Sequence, residues 1–170
     1  TIGWTQIGQD IVGEAIVNYT QIMALSSDGH TIAISSTVNN SNTGHVRVWK
    51  YNGTLWNQIG QDIDGASAND YFGWSVALSS DGTIVAAGSP NHDNYKGHVR
   101  VFLYNGVDAW NQLGSDIDGP SDAASPCTGW GVALSSDGTI VAIGSIYNDG
   151  GGNNSGHVRV FETGAGTTTP

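Results

Sequence analysis

The 170-residue chain is poor in the groups that most often announce a function. It has a single cysteine, Cys127, so no internal disulfide can form and cysteine usage does not report the redox compartment. Lys and Arg number only five against fifteen Asp and Glu, and the cations are scattered. Phosphate backbones and anionic lipid surfaces are held by clustered cations, so no nucleic-acid partner is expected, and no anionic membrane surface either. No apolar run approaches the roughly 20 residues that span a bilayer, and no signal-like charged and apolar start is present, so membrane insertion is not expected. A sustained three-to-four-residue apolar period is missing too, which predicts essentially no helix. There is no phosphate-cradling Gly-Lys-Ser/Thr loop, no zinc-ligand spacing and no nucleophile elbow.

What is abundant is repetition. Trp4-Thr5-Gln6-Ile7-Gly8-Gln9-Asp10-Ile11 returns at Trp56–Ile63 and at Trp110–Ile117. Ala24-Leu25-Ser26-Ser27-Asp28-Gly29 returns at Ala77–Gly82 and Ala133–Gly138, and Gly-His-Val-Arg-Val starts at Gly44, Gly97 and Gly156. A spacing of 52 to 59 residues filled with short strands and turns is the mark of a repeat architecture. In the middle repeat, Trp74–Leu78 alternates up to the Ser80-Asp81-Gly82 turn, where Asp-Gly suits a tight hairpin. Thr83–Gly88 returns, Gly97–Phe102 follows a polar loop, and the stretch from Trp110 to Ile117 completes the set after the Tyr104-Asn105-Gly106 turn.

The predicted fold class is therefore all-β, a propeller-like array of four-stranded antiparallel blades in three repeats of about 55 residues. The fourth-strand sequence opens the chain at 4–11, repeats occupy about 19–63, 72–117 and 129–162 within a unit 1–163, and 164–170 reads as a Thr/Pro linker or tail. The chain opens on a fourth strand and closes on a third. The first strand is thus expected to complete the last blade, either of its own chain or of a neighbour, and head-to-tail strand addition makes filaments unless its rotation closes. Beginning at Thr1 already inside a repeat, the chain reads as a processed or excerpted piece of something longer.

Asp62-Ile63-Asp64-Gly65 followed by Tyr71-Phe72-Gly73-Trp74-Ser75-Val76-Ala77-Leu78 resembles the FG-GAP repeats of integrin-α-like propellers. Asp116-Ile117-Asp118-Gly119 with Thr128-Gly129-Trp130-Gly131-Val132-Ala133-Leu134 repeats the pattern. The resemblance implies a large extracellular or cell-surface protein used for adhesion or assembly. Integrin-type blades often hold calcium in a loop of alternating Asp or Asn ligands; here only Ser-Ser-Asp-Gly stands between first and second strands, and the first repeat has Thr20-Gln21 in place of Gly-Trp.

Several residue sets invite chemistry. His45, His98 and His157 stand two residues before Arg47, Arg100 and Arg159, so each pair shares one strand face; the histidines read as a metal site on an axis or as structural hydrogen-bonding groups. All three arginines of the chain occupy this repeat position. Each repeat offers an Asp in the turn (Asp28, Asp81, Asp137) and one in the fourth strand (Asp10, Asp62, Asp116), and an Arg-carboxylate contact tying a blade together is expected, with the partner left open. Asp62 with Asp64, and Asp116 with Asp118, read as turn or pairing groups, as calcium ligands, or as an acid and base for glycoside hydrolysis.

Trp4, Trp56 and Trp110 are equivalent, as are Trp74 and Trp130; packing and sugar stacking are the two readings, and Trp49 reads as packing. The loops at Thr37–Thr43, Pro90–Lys96 and Ile146–Ser155 differ most between repeats and are either binding loops or solvated turns. Sequons at Asn18, Asn39, Asn52 and Asn153 are candidate glycan sites, as are Thr167, Thr168 and Thr169 for O-linked sugars. Cys127 reads as a bystander. The expected function is a non-enzymatic extracellular structural or adhesive module, a glycoprotein of tandem or filamentous propeller units that pairs with copies of itself. The alternative is a lectin-like carbohydrate- or protein-binding propeller, with calcium as the only cofactor to weigh; a hydrolase is disfavoured because no acid-base-nucleophile cluster breaks the repeat.

Overall fold

A computed structural model describes residues 3–13, 22–120 and 125–164. Its strands form three antiparallel sheets in chain order. The first holds β1 (Met23–Leu25), β2 (Thr31–Ser36), β3 (His45–Tyr51), β4 (Trp56–Gln58) and β5 (Ile63–Asp64). The second holds β6 (Ser75–Leu78), β7 (Ile84–Ser89), β8 (His98–Tyr104), β9 (Trp110–Gln112) and β10 (Ile117–Asp118). The third has only β11 (Thr128–Leu134), β12 (Ile140–Ser145) and β13 (His157–Glu162). The result is an all-β, propeller-like succession of sheets in which, among the described residues, no strand pairing joins the last sheet to the first.

Two expectations are corrected. The single fourth strand is broken: β4 and β5 both pair with β3, one at Tyr51↔Trp56 and the other at Val46↔Ile63. The break falls where Gly60 takes a left-handed φ of +71°, and Gly114 at +68° repeats it in the second sheet. Further, residues 3–13 form no strand and do not complete the last sheet of their own chain: β13 pairs with β12, and its far edge carries no strand among the described residues, so completion by a neighbouring chain is the alternative that remains. The reason lies in what this segment can reach. It sits against the first sheet, where Gln9 Nε2 donates to the Trp56 carbonyl at 2.8 Å and Trp56 Nε1 donates to the Ile7 carbonyl at 3.1 Å. Gln61 and Ile59 hold Trp110 by the same bonds. The opening segment is thus seated beside the first sheet as a fourth strand is seated beside the sheet that follows it. The expected absence of helix meets two exceptions, single turns at Asn39–Asn42 and His92–Tyr95 whose inner residues are left-handed.

Period-two alternation puts each sheet's apolar residues against its neighbours. Val46 and Val48 of β3 pack against Val76, Val85 and Ala87, and Phe72 and Phe102 join them in one core. Val99 and Val101 of β8 do the same for Val141 and Ile143. Backbone hydrogen bonds sew the seams. Tyr71 and Phe72 donate to the carbonyls of Asn42 and Thr43, and Cys127 and Thr128 donate to those of Tyr95 and Lys96. Left-handed Asn40, Ser41 and Asn42, and Asp93, Asn94 and Tyr95, aim those carbonyls at the next sheet. Asn and Asp tolerate that conformation better than most residues, which accounts for the loop composition.

The Ser-Ser-Asp-Gly turns are self-contained. Asp137 accepts from Ser135 Oγ at 2.6 Å, from Thr139 N at 3.0 Å and from Thr139 Oγ1 at 2.8 Å, with Gly138 at φ +72°. Asp28 and Asp81 make equivalent bonds to Ser26 and Ser79. These bonds stabilise the carboxylate, led by the serine hydroxyl, and hold Asp137 down to about 2 from its usual 3.8. A carboxyl whose folded value is depressed adds stability that is present above its unfolded value and lost as pH falls through the folded one. Denaturant midpoints are therefore expected to hold down to about pH 4 and fall between pH 4 and pH 2, and Asp137→Asn should flatten that decline.

Candidate functional site

Of the three repeat arginines, Arg47 makes a forked carboxylate contact, and the other two turn elsewhere. Arg47 forks onto Asp62, Nε to Oδ1 at 2.9 Å and a terminal nitrogen to Oδ2 at 2.7 Å, while Gln58 Nε2 adds a bond at 2.7 Å. That guanidinium is the first cause holding the Asp62 carboxyl below its usual range. The turn carboxylates Asp28, Asp81 and Asp137 take no part in this contact. Asp116 keeps the Gln112 bond at 2.7 Å, but Arg100 turns toward Gln112 and the Asp64 carbonyl and stands 3.7 Å from Asp116. Arg159 likewise donates to the Asp118 carbonyl at 2.6 Å, so two arginines reach back to the preceding sheet. Asp10 is held by Gln6 at 2.8 Å, the counterpart of the Gln58 and Gln112 bonds.

The calcium readings separate. Asp62 is taken up by Arg47, and Asp64 joins no group of converging ligand atoms among the described residues. Asp116 and Asp118 converge instead on His98. The three repeat histidines lie on separate sheets, and no two of them join one group of converging ligand atoms among the described residues. His45 Nδ1 meets Asn39 Nδ2 at 2.6 Å, the nitrogen that would carry a glycan on Asn39. Asn52 and Asn153 are exposed; Asn18, Thr167, Thr168 and Thr169 lie outside the described residues. Of the tryptophans, Trp110 is buried and Trp74 packs on Trp130 with ring centres 4.9 Å apart, whereas Trp4 is fully exposed. Cys127 is buried and its thiol is pushed up by that burial, in keeping with an inert role.

Among the described residues, a cleft with converging chemistry lies beside the second sheet. It measures about 670 Å³ and is formed by residues 67–71, entering β6, and 91–95, between β7 and β8. Asp70, His92 and His98 bring ligand-capable atoms within 4.8 Å of one another there. Asp70 is buried; its Oδ2 accepts from Ser67 N at 3.0 Å and lies 2.8 Å from His92 Nδ1. The rings of His92 and His98 stack with centres 3.9 Å apart. His98 is wholly buried, and neither ring nitrogen makes a hydrogen bond, although Asp116 Oδ2 lies 3.3 Å from Nδ1. Burial first and then the neighbouring His92 lower its pKa to about 4, leaving an uncharged imidazole at neutral pH. Left-handed Asn69, Tyr71 and Tyr95 frame the cleft.

Asp70 and His92 escape a reading based on repeated positions because neither repeats. His92 stands where the first repeat has Asn39, and Asp70 where the third has Pro126. That departure from symmetry is the signal a sequence reading can use.

Residues 63–102 match the FG-GAP repeat family model. The fold aligns with a functionally unknown protein from Desulfotomaculum acetoxidans DSM 771 at a TM-score of 0.53 and 15% identity, over 84% of this chain and 36% of that one. TolB from Acinetobacter baumannii aligns at a TM-score of 0.47 and 14% identity, over 86% of this chain and 30% of TolB. The chain thus spans about a third of the length of these structures. No curated protein matches it. The matched stretch runs from β5 to β8 and carries Ile63-Asp64-Gly65 and Phe72-Gly73-Trp74, which recur as Ile117-Asp118-Gly119 and, without the Phe, as Gly129-Trp130, so residues 63–102 match an FG-GAP repeat within an all-β, propeller-like chain.

Proposed function

We propose that this chain is a non-enzymatic structural module of an extracellular or cell-surface protein, whose end sheets dock head to tail on further copies of the same unit. An FG-GAP repeat points to a propeller-type protein-binding module. The observation that carries the finer reading is the burial of equivalent valines. Val46 and Val48 are 0% exposed under the second sheet, while their counterparts Val158 and Val160 on β13 are 70% and 63% exposed. At the opposite end Met23 and Leu25, which correspond to Val76 and Leu78 at the inner seam, are also exposed. One face is built like the outgoing side of an inner seam and the other like the incoming side. Burying each valine is worth roughly 1.5–3 kcal/mol, a substantial drive toward a partner sheet.

Polar groups support the same pairing. Arg159 Nε is buried without a hydrogen bond, and Asp10 holds its Gln6 contact in a segment shaped like a fourth strand. Laid along β13 of a neighbour, that segment would offer Asp10 to Arg159 as Asp62 is offered to Arg47. Two units would supply six sheets, inside the range of about four to eight blades found in propellers; a rotation that does not close gives a filament. Glycans on exposed Asn52 and Asn153 would shield the outer surface.

The test is sedimentation of the chain over a range of concentrations, beside the double variant Val158→Lys/Val160→Lys. Association of the parent and a 17.7 kDa monomer for the variant are expected. A parent that stays strictly monomeric at high concentration overturns the reading.

A further inference from the structure

The middle repeat breaks its own pattern where a ligand would be needed. In the first repeat Asn39 supplies the Nδ1 of His45 with a partner at 2.6 Å. In the second, the equivalent residue is His92, its ring lies flat on His98, and the His98 nitrogens are left without hydrogen bonds in a fully buried position. A buried polar group without a partner is costly and rare, and unfilled lone pairs of this kind commonly mark an ion or water site. Beside it Asp70, also buried, comes from the connector before β6, where the third repeat carries Pro126. Among the described residues, two imidazoles and a carboxylate are thus gathered in the second repeat and in neither of the others.

We propose that Asp70, His92 and His98 bind one divalent transition-metal ion of the zinc class at the wall of the 670 Å³ cleft. Two histidines and one carboxylate are a donor set that suits zinc and its neighbours, and it contrasts with the all-oxygen shells calcium prefers. The ligand atoms now lie within 4.8 Å of one another, and bonds of about 2.0–2.2 Å require them to draw closer. His92 can make that movement, since its side chain is 25% exposed and borders the cleft. Binding replaces the His92 to Asp70 hydrogen bond and places both His98 and His92 in contact with a cation instead of with each other alone. Asp116, 3.3 Å from His98 Nδ1, is a positioning residue for that ring, as carboxylates behind metal-bound histidines are.

The second convergent group, His98 with Asp116 and Asp118, is the weaker candidate. Asp116 is engaged by Gln112 and lies near Arg100, whose positive charge opposes a cation, and Asp118 is exposed. Three protein ligands leave a fourth position of a tetrahedral ion toward the cleft, where water or a small oxygen donor fits.

Calorimetric titration of the tag-free chain with zinc chloride tests the proposal, with Co(II) absorption as a readout of coordination. One saturable site per chain, visible bands of four-coordinate Co(II), and at least about tenfold weaker binding in His92→Gln and Asp70→Asn are expected. His98 is too buried to be the main test, so both variants are first compared with the parent by circular dichroism. No saturable zinc binding, undiminished affinity in correctly folded variants, or equal binding of calcium would overturn the proposal.

Discussion

Gly97→Ala is expected to destabilise the chain by about 2–5 kcal/mol, while the same change at Gly156 should lose only about 1–2 kcal/mol. The two glycines occupy the same place in the Gly-His-Val-Arg-Val motif and the same conformation, φ +73° and +69°. The left-handed penalty is therefore shared. What differs is the space: a Cβ at Gly97 would lie 2.1 Å from the Thr128 carbonyl oxygen and 2.6 Å from its nitrogen, whereas at Gly156 the nearest atoms are 3.3 Å away. The atoms met at Gly97 are backbone in a hydrogen-bonded seam and cannot swing aside. Gly44 repeats the close approach, with Phe72 O at 2.2 Å, and should behave as Gly97 does. Urea denaturation of the three variants measures this order. Equal losses at Gly97 and Gly156 would show that the seam contact contributes nothing beyond backbone conformation. In an assembled form, where a partner sheet covers β13, Gly156 should become as intolerant as Gly97.

Phe72→Ala should lower stability by about 3–5 kcal/mol, a large part of the roughly 5–15 kcal/mol available to a folded domain. The ring is fully buried, meets Phe102 edge-on at 6.3 Å, and has the Arg100 guanidinium 5.4 Å from its centre. It fills the seam between the first and second sheets, so its removal leaves a cavity and loosens a cationic contact together. Thr128, the counterpart in the third repeat, shares a hydrogen bond with Ser145 at 2.8 Å instead, and Thr128→Ala should cause a smaller loss. Thermal or urea unfolding followed by tryptophan fluorescence checks both. A Phe72→Ala midpoint within error of the parent would show that the two sheets do not depend on this ring.

Much of the candidate site escaped the repeat pattern for a physical reason. Repetition reports what every sheet must do, so it reveals turn carboxylates, strand valines and seam glycines. A ligand site needs residues of one repeat brought together across loops, and Asp70 and His92 are separated by 22 positions in the chain. The expected Arg-carboxylate ties show the same limit. Both candidate Asp sets recur equally, and only the reach of the Arg47 side chain across to Asp62 distinguishes them.

Alternation and turn chemistry act between residues close in the chain, so the sequence alone specified the first three strands of each sheet, the Asp-Gly turns and the antiparallel order within each sheet. It also marked the mismatch of an opening fourth strand and a closing third. Tertiary structure decided what proximity alone can decide. It seated residues 3–13 against Trp56 and, among the described residues, left the far edge of β13 without a strand, since that segment is held by contacts to the first sheet. It split the fourth strands at left-handed glycines and turned two arginines back toward preceding carbonyls. It buried His98 beside His92 and Asp70, where desolvation and the neighbouring ring, rather than anything in the residue types, set the chemistry of the cleft.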